Sequence, residues 1–384
     1  MELPNTSVLM TKKKILIIGP AWPLRGGLAT YNERLCREFN SQGHECEIAS
    51  FSLQYPKVLF PGKTQMSDDS QPTDITIHSI INSINPLKWF LVGNKLKNKE
   101  YDVVIFRYWM SFMAPAFGTI ARLMKANGKT KIITIADNII PHEQQFFDTA
   151  FTQYFIDACD GFLAMSREVY AHVDLFATGK PKKYVPHPMY DMFGPLLDKQ
   201  EAKRKLGLNE ADDYLLFFGF IRKYKGLSLL LDSFVLLKHS HPNLKLIVAG
   251  EFYENSEPYL QQIKNLGLEN SVILRTDFIP NNEVGVYFSA ADLIVQTYLT
   301  ATQSGVTQIA YYYSKPMLVT NVGGLAELVP HEVVGYVVDK NTTEIAAAIN
   351  NFYTANREQE FTANMEVEKQ KFTWKYLTEQ LLDI

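Results

Sequence analysis

From Lys14 onward, short apolar runs alternate with stretches whose apolar residues recur at helical spacing. Ile15–Gly19, Glu47–Phe51, Val103–Phe106, Lys131–Ala136 and Gly161–Met165 read as strands, and Leu28–Asn40 as an amphipathic helix between the first two. Such alternation predicts an α/β fold on parallel sheets, since parallel neighbours need a crossover long enough to hold a helix. The pattern breaks over Phe193–Lys205 and restarts at Tyr214–Phe218, followed by Leu227, Leu230, Leu231, Phe234 and Leu237 at helical spacing. Leu244–Ala249, Val272–Arg275, Leu293–Val295 and Met317–Thr320 then read as strands and Tyr259–Leu266 as a helix. A second α/β domain is expected there, with its boundary between residues 187 and 205. Pro186 and Pro188 stiffen the preceding Tyr184–Tyr190, as in a connection between domains; a rigid turn within one domain is the alternative.

Composition agrees with two cored domains: 384 residues, of which 46% are hydrophobic, leave each half enough to bury. With 38 basic against 41 acidic residues, a broad nucleic-acid surface is excluded, and any anionic ligand must be met locally. The three cysteines, Cys36, Cys46 and Cys159, lack metal-ligand spacing and are odd in number, so a reducing cytoplasm is expected. The first ten residues do not form a basic start followed by an apolar run, which argues against secretion. The charge-free stretch Leu293–Ser314 holds too many amides and hydroxyls to span a membrane.

Three segments suit a phosphorylated ligand. The loop Gly19–Leu28 carries Gly26 and Gly27 just before a helix, where a ligand can approach the backbone; the bland reading is a tight turn. It is not a G-x-G-x-x-G fingerprint, so dinucleotide binding is poorly supported. Gly219–Gly226 follows a strand with Arg222, Lys223 and Lys225, placing cations where open α/β sheets bind ligands, with Lys225 beside Gly226 at the helix start the leading candidate. Thr302, Gln303, Ser304, Gly305, Val306 and Thr307 precede the apolar helix Ile309–Tyr313, with Ser304 or Gly305 as N-cap, so free N–H groups can face a phosphate.

Taken together, these segments resemble the retaining glycosyltransferases of family 4 over about residues 14–380. The likeness runs through Gly26-Gly27, Gly43-His44-Glu45, Cys159–Phe162 to Ser166, Gly219, Lys225-Gly226, Ala291-Asp292, Ser314–Pro316 and Gly323–Glu327. The resemblance implies the α/β GT-B fold, two facing Rossmann-like domains with a ligand cleft between them. On that pattern residues 1–195 form the acceptor-side domain and 196–365 the nucleotide-sugar-binding domain, while 366–384 form a helix returning to the N-terminal domain. It implies donor binding by Gly26, Gly27, Gly219, Thr302, Gln303, Ser304, Gly305, Val306, Thr307 and Glu327, and catalysis by Asp137, Arg222 and Lys225. The acceptor side would offer Arg107, Trp109, His142 and His187; for His142 a plain loop histidine, and for Glu327 a residue complementing a helix start, are the bland readings.

This sequence departs from the family at three places. Ala301 and Ile309 stand where two glutamates are usual, leaving sugar recognition to Thr302, Gln303 or Gln308. Phe220 stands in place of the Gly-Arg arginine, with Arg222 two positions on, and Asp137 in place of a histidine. The expected activity is transfer of a hexose from a nucleotide diphosphate sugar to a saccharide or lipid-linked saccharide acceptor in surface polysaccharide biosynthesis, with no cofactor and no metal. A sugar-nucleotide epimerase of the same fold and a non-catalytic saccharide-binding relative are the rivals. A weak membrane-surface contact is also expected, from Pro86–Val92 with Lys95, Lys97 and Lys99, unless Trp89 and Phe90 belong to the core.

Overall fold

The computed structural model describes residues 11–56, 65–67, 70–140, 146–301 and 304–384. The chain forms two compact units, one running to Pro186 and taking up Trp374–Ile384, the other being His187–Thr373. Each is built on one parallel sheet, as the strand and helix alternation requires.

In the first unit the strands are β1 (Lys14–Ile18), β2 (Glu45–Leu53), β3 (Thr76–Asn82), β4 (Val103–Tyr108), β5 (Lys131–Ala136), β6 (Gly161–Ala164) and β7 (Lys182–Tyr184). Their order is β3-β2-β1-β4-β5-β6-β7. The helices are α1 (Gly27–Ser41), α2 (Pro86–Lys97), α3 (Ala114–Lys125), α4 (Asp148–Ala158) and α5 (Arg167–Phe176). Successive residues of β1 serve opposite faces: Ile15 and Ile17 join a core with Tyr31, Leu35 and Phe39 of α1, whereas Leu16 and Ile18 join one with Leu96, Phe117 and Phe155 of α2, α3 and α4. A strand covered on both sides has no polar face, which is why β1 and β4 read as unbroken apolar runs.

The second unit has β8 (Asp213–Phe218), β9 (Leu244–Ala249), β10 (Val272–Arg275), β11 (Leu293–Gln296), β12 (Met317–Thr320) and β13 (Gly335–Val338), ordered β10-β9-β8-β11-β12-β13. Around it lie α6 (Lys199–Lys205), α7 (Leu227–Phe234), α8 (Glu257–Asn265), α9 (Asn281–Ala290), α10 (Gly305–Tyr312), α11 (Gly323–Glu327), α12 (Thr342–Thr354) and α13 (Glu358–Glu368). Leu215 and Phe217 share a core with Leu227, Leu230 and Ile349, and Leu216 shares another with Val306, Ile309 and Ala310. The last helix, α14 (Trp374–Leu382), packs in the first unit, with the Trp374 ring 4.9 Å from that of Tyr31 and Gln42 Nε2 donating to Thr378 Oγ1 at 2.8 Å.

Three strands escape a reading of apolar runs, and all lie at sheet edges. β3 interleaves His78 and Ser79, β7 is only Lys-Lys-Tyr, and β13 is four residues beginning with a glycine. Helix α10 also starts at Gly305, four positions before its apolar run, because its first turn is polar. The strand order reverses beside β1 and beside β8. In open α/β sheets ligands gather at the carboxyl ends of strands around such reversals, which here means the segments following β1, β4, β8 and β11.

Candidate functional site

In the second unit, β8 ends in a loop locked to its neighbour: Ile221 N donates to Glu251 O (2.8 Å) and Tyr253 N returns to Ile221 O (3.0 Å). The chain then makes a short turn, Lys223–Lys225, and enters α7 through Gly226 at φ 70°. A Cβ at Gly226 would lie 2.0 Å from the carbonyl oxygen of Thr297, whose hydroxyl in turn donates to Gly226 O. Gly226→Ala should therefore lower the stability of this unit by about 2–3 kcal/mol, combining a disfavoured φ with a backbone clash. Urea denaturation checks this, and a midpoint equal to wild type would contradict the packing described.

That turn buries Lys225, which is only 8% exposed. Its ammonium has one long contact, to Phe218 O at 3.4 Å, and faces the Tyr298 ring at 5.6 Å. Among the described residues no carboxylate pairs with it. Burial, and then the nearby Arg222 charge, lower the lysine to about 8. Lys315 is a useful contrast: it is as deeply buried and lowered by burial to about 8, yet it donates to Ser289 O (3.1 Å) and Ala291 O (2.8 Å). Lys315 is held by carbonyls, whereas Lys225 is a buried cation short of partners, which is what an anion site requires.

The start of α10 lies against the same place. Ser304 is the N-cap residue, yet its side chain does not cap the helix. Its hydroxyl instead donates to Gln296 Oε1 at 2.6 Å, at the end of β11, with Tyr298 Oη 3.3 Å away. Thr307 closes the network through Gln296 Nε2 at 3.2 Å. The first-turn N–H groups, including those of Gly305 and Val306, thus lack the side-chain acceptor that the sequence suggested, and the positive end of the helix is available to a ligand. Gly219 joins the two halves: a Cβ on it would lie 2.8 Å from Lys225 Nζ and 3.9 Å from Val306 Cγ2. Its φ of 93° favours glycine, and a side chain there would displace the Lys225 ammonium.

Arg222 is placed differently. It is exposed, with its guanidinium over the Tyr253 ring at 5.1 Å, and Phe220 stacks on that same tyrosine, ring to ring at 4.1 Å. Ile309 is part of the core, which explains an apolar residue there, and Ala301 packs against the same cluster. Gln308 is buried with Oε1 unpartnered. Glu327 ends α11 rather than starting it, and is exposed, so it does not complement the N-terminus of that helix. Thr302, Gln303 and His142 lie outside the described residues. His187 Nδ1 donates to Pro188 O (2.8 Å) and its ring lies 5.0 Å from Tyr190.

In the first unit, Gly26 has φ 114° and precedes α1 with open space around both it and Gly27. Arg107, 3% exposed at the end of β4, bonds Asp137 with two nitrogens, Nε to Oδ2 and Nη2 to Oδ1, both at 2.5 Å. The guanidinium also lies 3.9 Å from the Tyr31 ring, while Nη1 is buried without a partner. Burial pushes the Asp137 carboxyl upward and Arg107 opposes the rise. Both carboxylate oxygens are thereby committed to Arg107. Trp109 donates from Nε1 to Tyr55 Oη at 2.8 Å and packs edge-on against Phe51 and Phe117. Sequence reasoning missed Gln296 and Tyr298, which set the start of α10; an amide closing an otherwise apolar strand was the available signal.

A family model described as Glycosyl transferases group 1 matches residues 198–370. The D-inositol 3-phosphate glycosyltransferase of Pseudarthrobacter chlorophenolicus is 23% identical over 82% of this chain and 78% of its own. The lipopolysaccharide core biosynthesis mannosyltransferase LpsB of Rhizobium meliloti is 28% identical over 47% of this chain and 51% of its own. Among solved structures, Anabaena HepE in complex with UDP superposes with a TM-score of 0.65 at 18% identity, covering 96% of this chain and 98% of that one. A likeness at that identity speaks to the fold.

Proposed function

Since the chain belongs to the group 1 glycosyl transferases of the GT-B fold, we propose that it moves a hexose from a nucleotide diphosphate sugar to a saccharide or lipid-linked saccharide acceptor, with retention, in surface polysaccharide biosynthesis. One observation carries this reading: the buried, carboxylate-free Lys225 ammonium and the uncapped start of α10 meet around Gly219. HepE, solved with UDP, and LpsB, a mannosyltransferase of lipopolysaccharide core biosynthesis, support the donor and acceptor classes.

In this reading the second unit takes the donor. The glycosidic bond breaks through an oxocarbenium-like state, so negative charge grows on the departing diphosphate. Lys225 and the first-turn N–H groups of α10 are fixed before that charge develops, and stabilise it without reorganising. Retention places the acceptor hydroxyl on the face that the leaving group occupies, and a diphosphate oxygen can take its proton there. The first unit takes the acceptor, with the buried Arg107 as one of its polar features. Asp137 is a positioning residue for Arg107, because neither of its oxygens is free.

The reading predicts a pH dependence. In the empty site Lys225 is charged below about 8 and loses its proton as the pH rises through that value. A bound diphosphate favours the ammonium and raises its pKa. Binding of UDP should therefore take up a proton and weaken up to about tenfold between pH 8 and pH 9. Titration calorimetry in buffers of different ionisation heat checks both effects. A flat affinity with no proton uptake would show that Lys225 does not face the diphosphate. Thermal shift against a panel of nucleotides and nucleotide sugars then identifies the donor, since a ligand of the native state raises the melting temperature.

A further inference from the structure

Helix α2 carries large apolar side chains where a soluble helix carries polar ones. Its inward face is Trp89, Val92, Gly93 and Leu96: the last two are buried, the first two pack on the core, and Trp89 Nε1 donates to Asn82 O at 2.6 Å. On the side turned away from that face stand Leu87, 76% exposed, and Leu91, 70% exposed, one turn apart. Phe90 and the preceding Ile84 are about half exposed and extend the patch. No neighbouring element in the described residues covers these four side chains, and single exposed apolar residues are ordinary but four on one helical turn and its approach are not.

The charges around the patch have one sign. Residues 75–99 include Lys88, Lys95, Lys97 and Lys99 and not one aspartate or glutamate. Lys99 is engaged by Glu47 at 3.0 Å, but among the described residues Lys88, Lys95 and Lys97 make no ion pair. At the helical period Lys88 and Lys95 flank the Leu87–Leu91 line on one side, and Phe90 and Lys97 on the other. The adjoining α3 has no acidic residue, though its own cations are engaged, Lys125 by Asp160 at 2.6 Å and Arg122 over the Tyr154 ring at 3.9 Å. An apolar strip edged by free lysines fits an anionic bilayer surface: the leucines and Phe90 enter the acyl boundary and the ammonium groups meet headgroup phosphates. No helix of the described residues is long and apolar enough to cross a membrane, so the contact is one of lying on the surface.

We infer that α2 docks the first unit onto an anionic lipid surface. The inference stands apart from the donor chemistry, since it is measured without any nucleotide sugar. The test is sedimentation of the full chain with vesicles of phosphatidylcholine and phosphatidylglycerol in about 7:3 ratio, against pure phosphatidylcholine. Binding should require phosphatidylglycerol and fall steeply with salt. Lys88→Gln with Lys95→Gln should weaken it roughly twenty-five-fold, at about fivefold per lysine. Leu87→Asn with Leu91→Asn should weaken it more than tenfold, while Leu236→Asn, at an exposed leucine of the second unit, should leave it unchanged. All these side chains are exposed, so the variants should keep the wild-type melting temperature. Wild-type protein that stays in the supernatant, or leucine variants that bind as well as wild type, would overturn the inference. So would a wild-type dimer in solution that the Leu87→Asn, Leu91→Asn pair dissociates, because the face would then belong to a second copy of the chain.

Discussion

Replacing Lys225 by alanine should weaken binding of a nucleoside diphosphate roughly ten- to hundredfold, the loss of about 1.5–3 kcal/mol for one charge-assisted hydrogen bond. The effect is large because, among the described residues, the site has no second buried cation to compensate. Phe220 occupies the place of the usual arginine, and Arg222 rests in solvent over Tyr253. Arg222→Ala should therefore cost only a few-fold in affinity. Equal losses from the two variants would mean that Arg222 leaves Tyr253 and joins the clamp when the donor arrives. An unchanged affinity in Lys225→Ala would remove the lysine from the site altogether. Because its charge is already disfavoured by burial, Lys225→Ala should not destabilise the empty protein, which separates a binding role from a structural one.

Asp137→Ala should destabilise the first unit by about 3–5 kcal/mol, since it strands a buried arginine. Arg107 would retain only the face of Tyr31, with Nη1 already unpartnered. Removing both charges, in Arg107→Met with Asp137→Leu, should recover most of that loss, because a buried pair contributes little over apolar residues that fill the same space. Denaturant midpoints at unchanged m-value measure both. A single-variant loss below about 1 kcal/mol would contradict the burial of the pair. Acceptor KM gives the independent readout: it should rise in the double variant while donor affinity keeps its wild-type value.

The fold class was legible because strands covered on both faces are mostly apolar, and β5, β9, β10 and β12 were readable to the residue. Three of the four edge strands, β3, β7 and β13, were not, because an edge needs neither length nor apolar continuity, as β7 shows. Of the site, Lys225 was legible through the glycine beside it, whose φ and contact with Thr297 admit no other residue. The manner in which α10 begins was not. Whether a serine caps its own helix or bonds a neighbouring strand depends on which element lies beside it, and Gln296 arrives there only through the packing of β11. The pairing of Arg107 with Asp137 follows from register in the same way, since Tyr108 stands opposite Ala136 and brings residues 107 and 137 together. No local pattern specifies that.

The account rests on a sugar leaving a nucleotide diphosphate held by Lys225 and α10. The measurement that bears on it most directly is release of nucleoside diphosphate from a panel of nucleotide sugars by pure protein, with and without a mixture of saccharide and lipid-linked saccharide acceptors, in wild type and Lys225→Ala. The account predicts that one donor class is consumed, that acceptor speeds its consumption, that a glycosylated product appears, and that kcat/KM falls at least tenfold in the variant. Conversion of a nucleotide sugar to an isomer without diphosphate release, or equal turnover in Lys225→Ala and wild type, would contradict it.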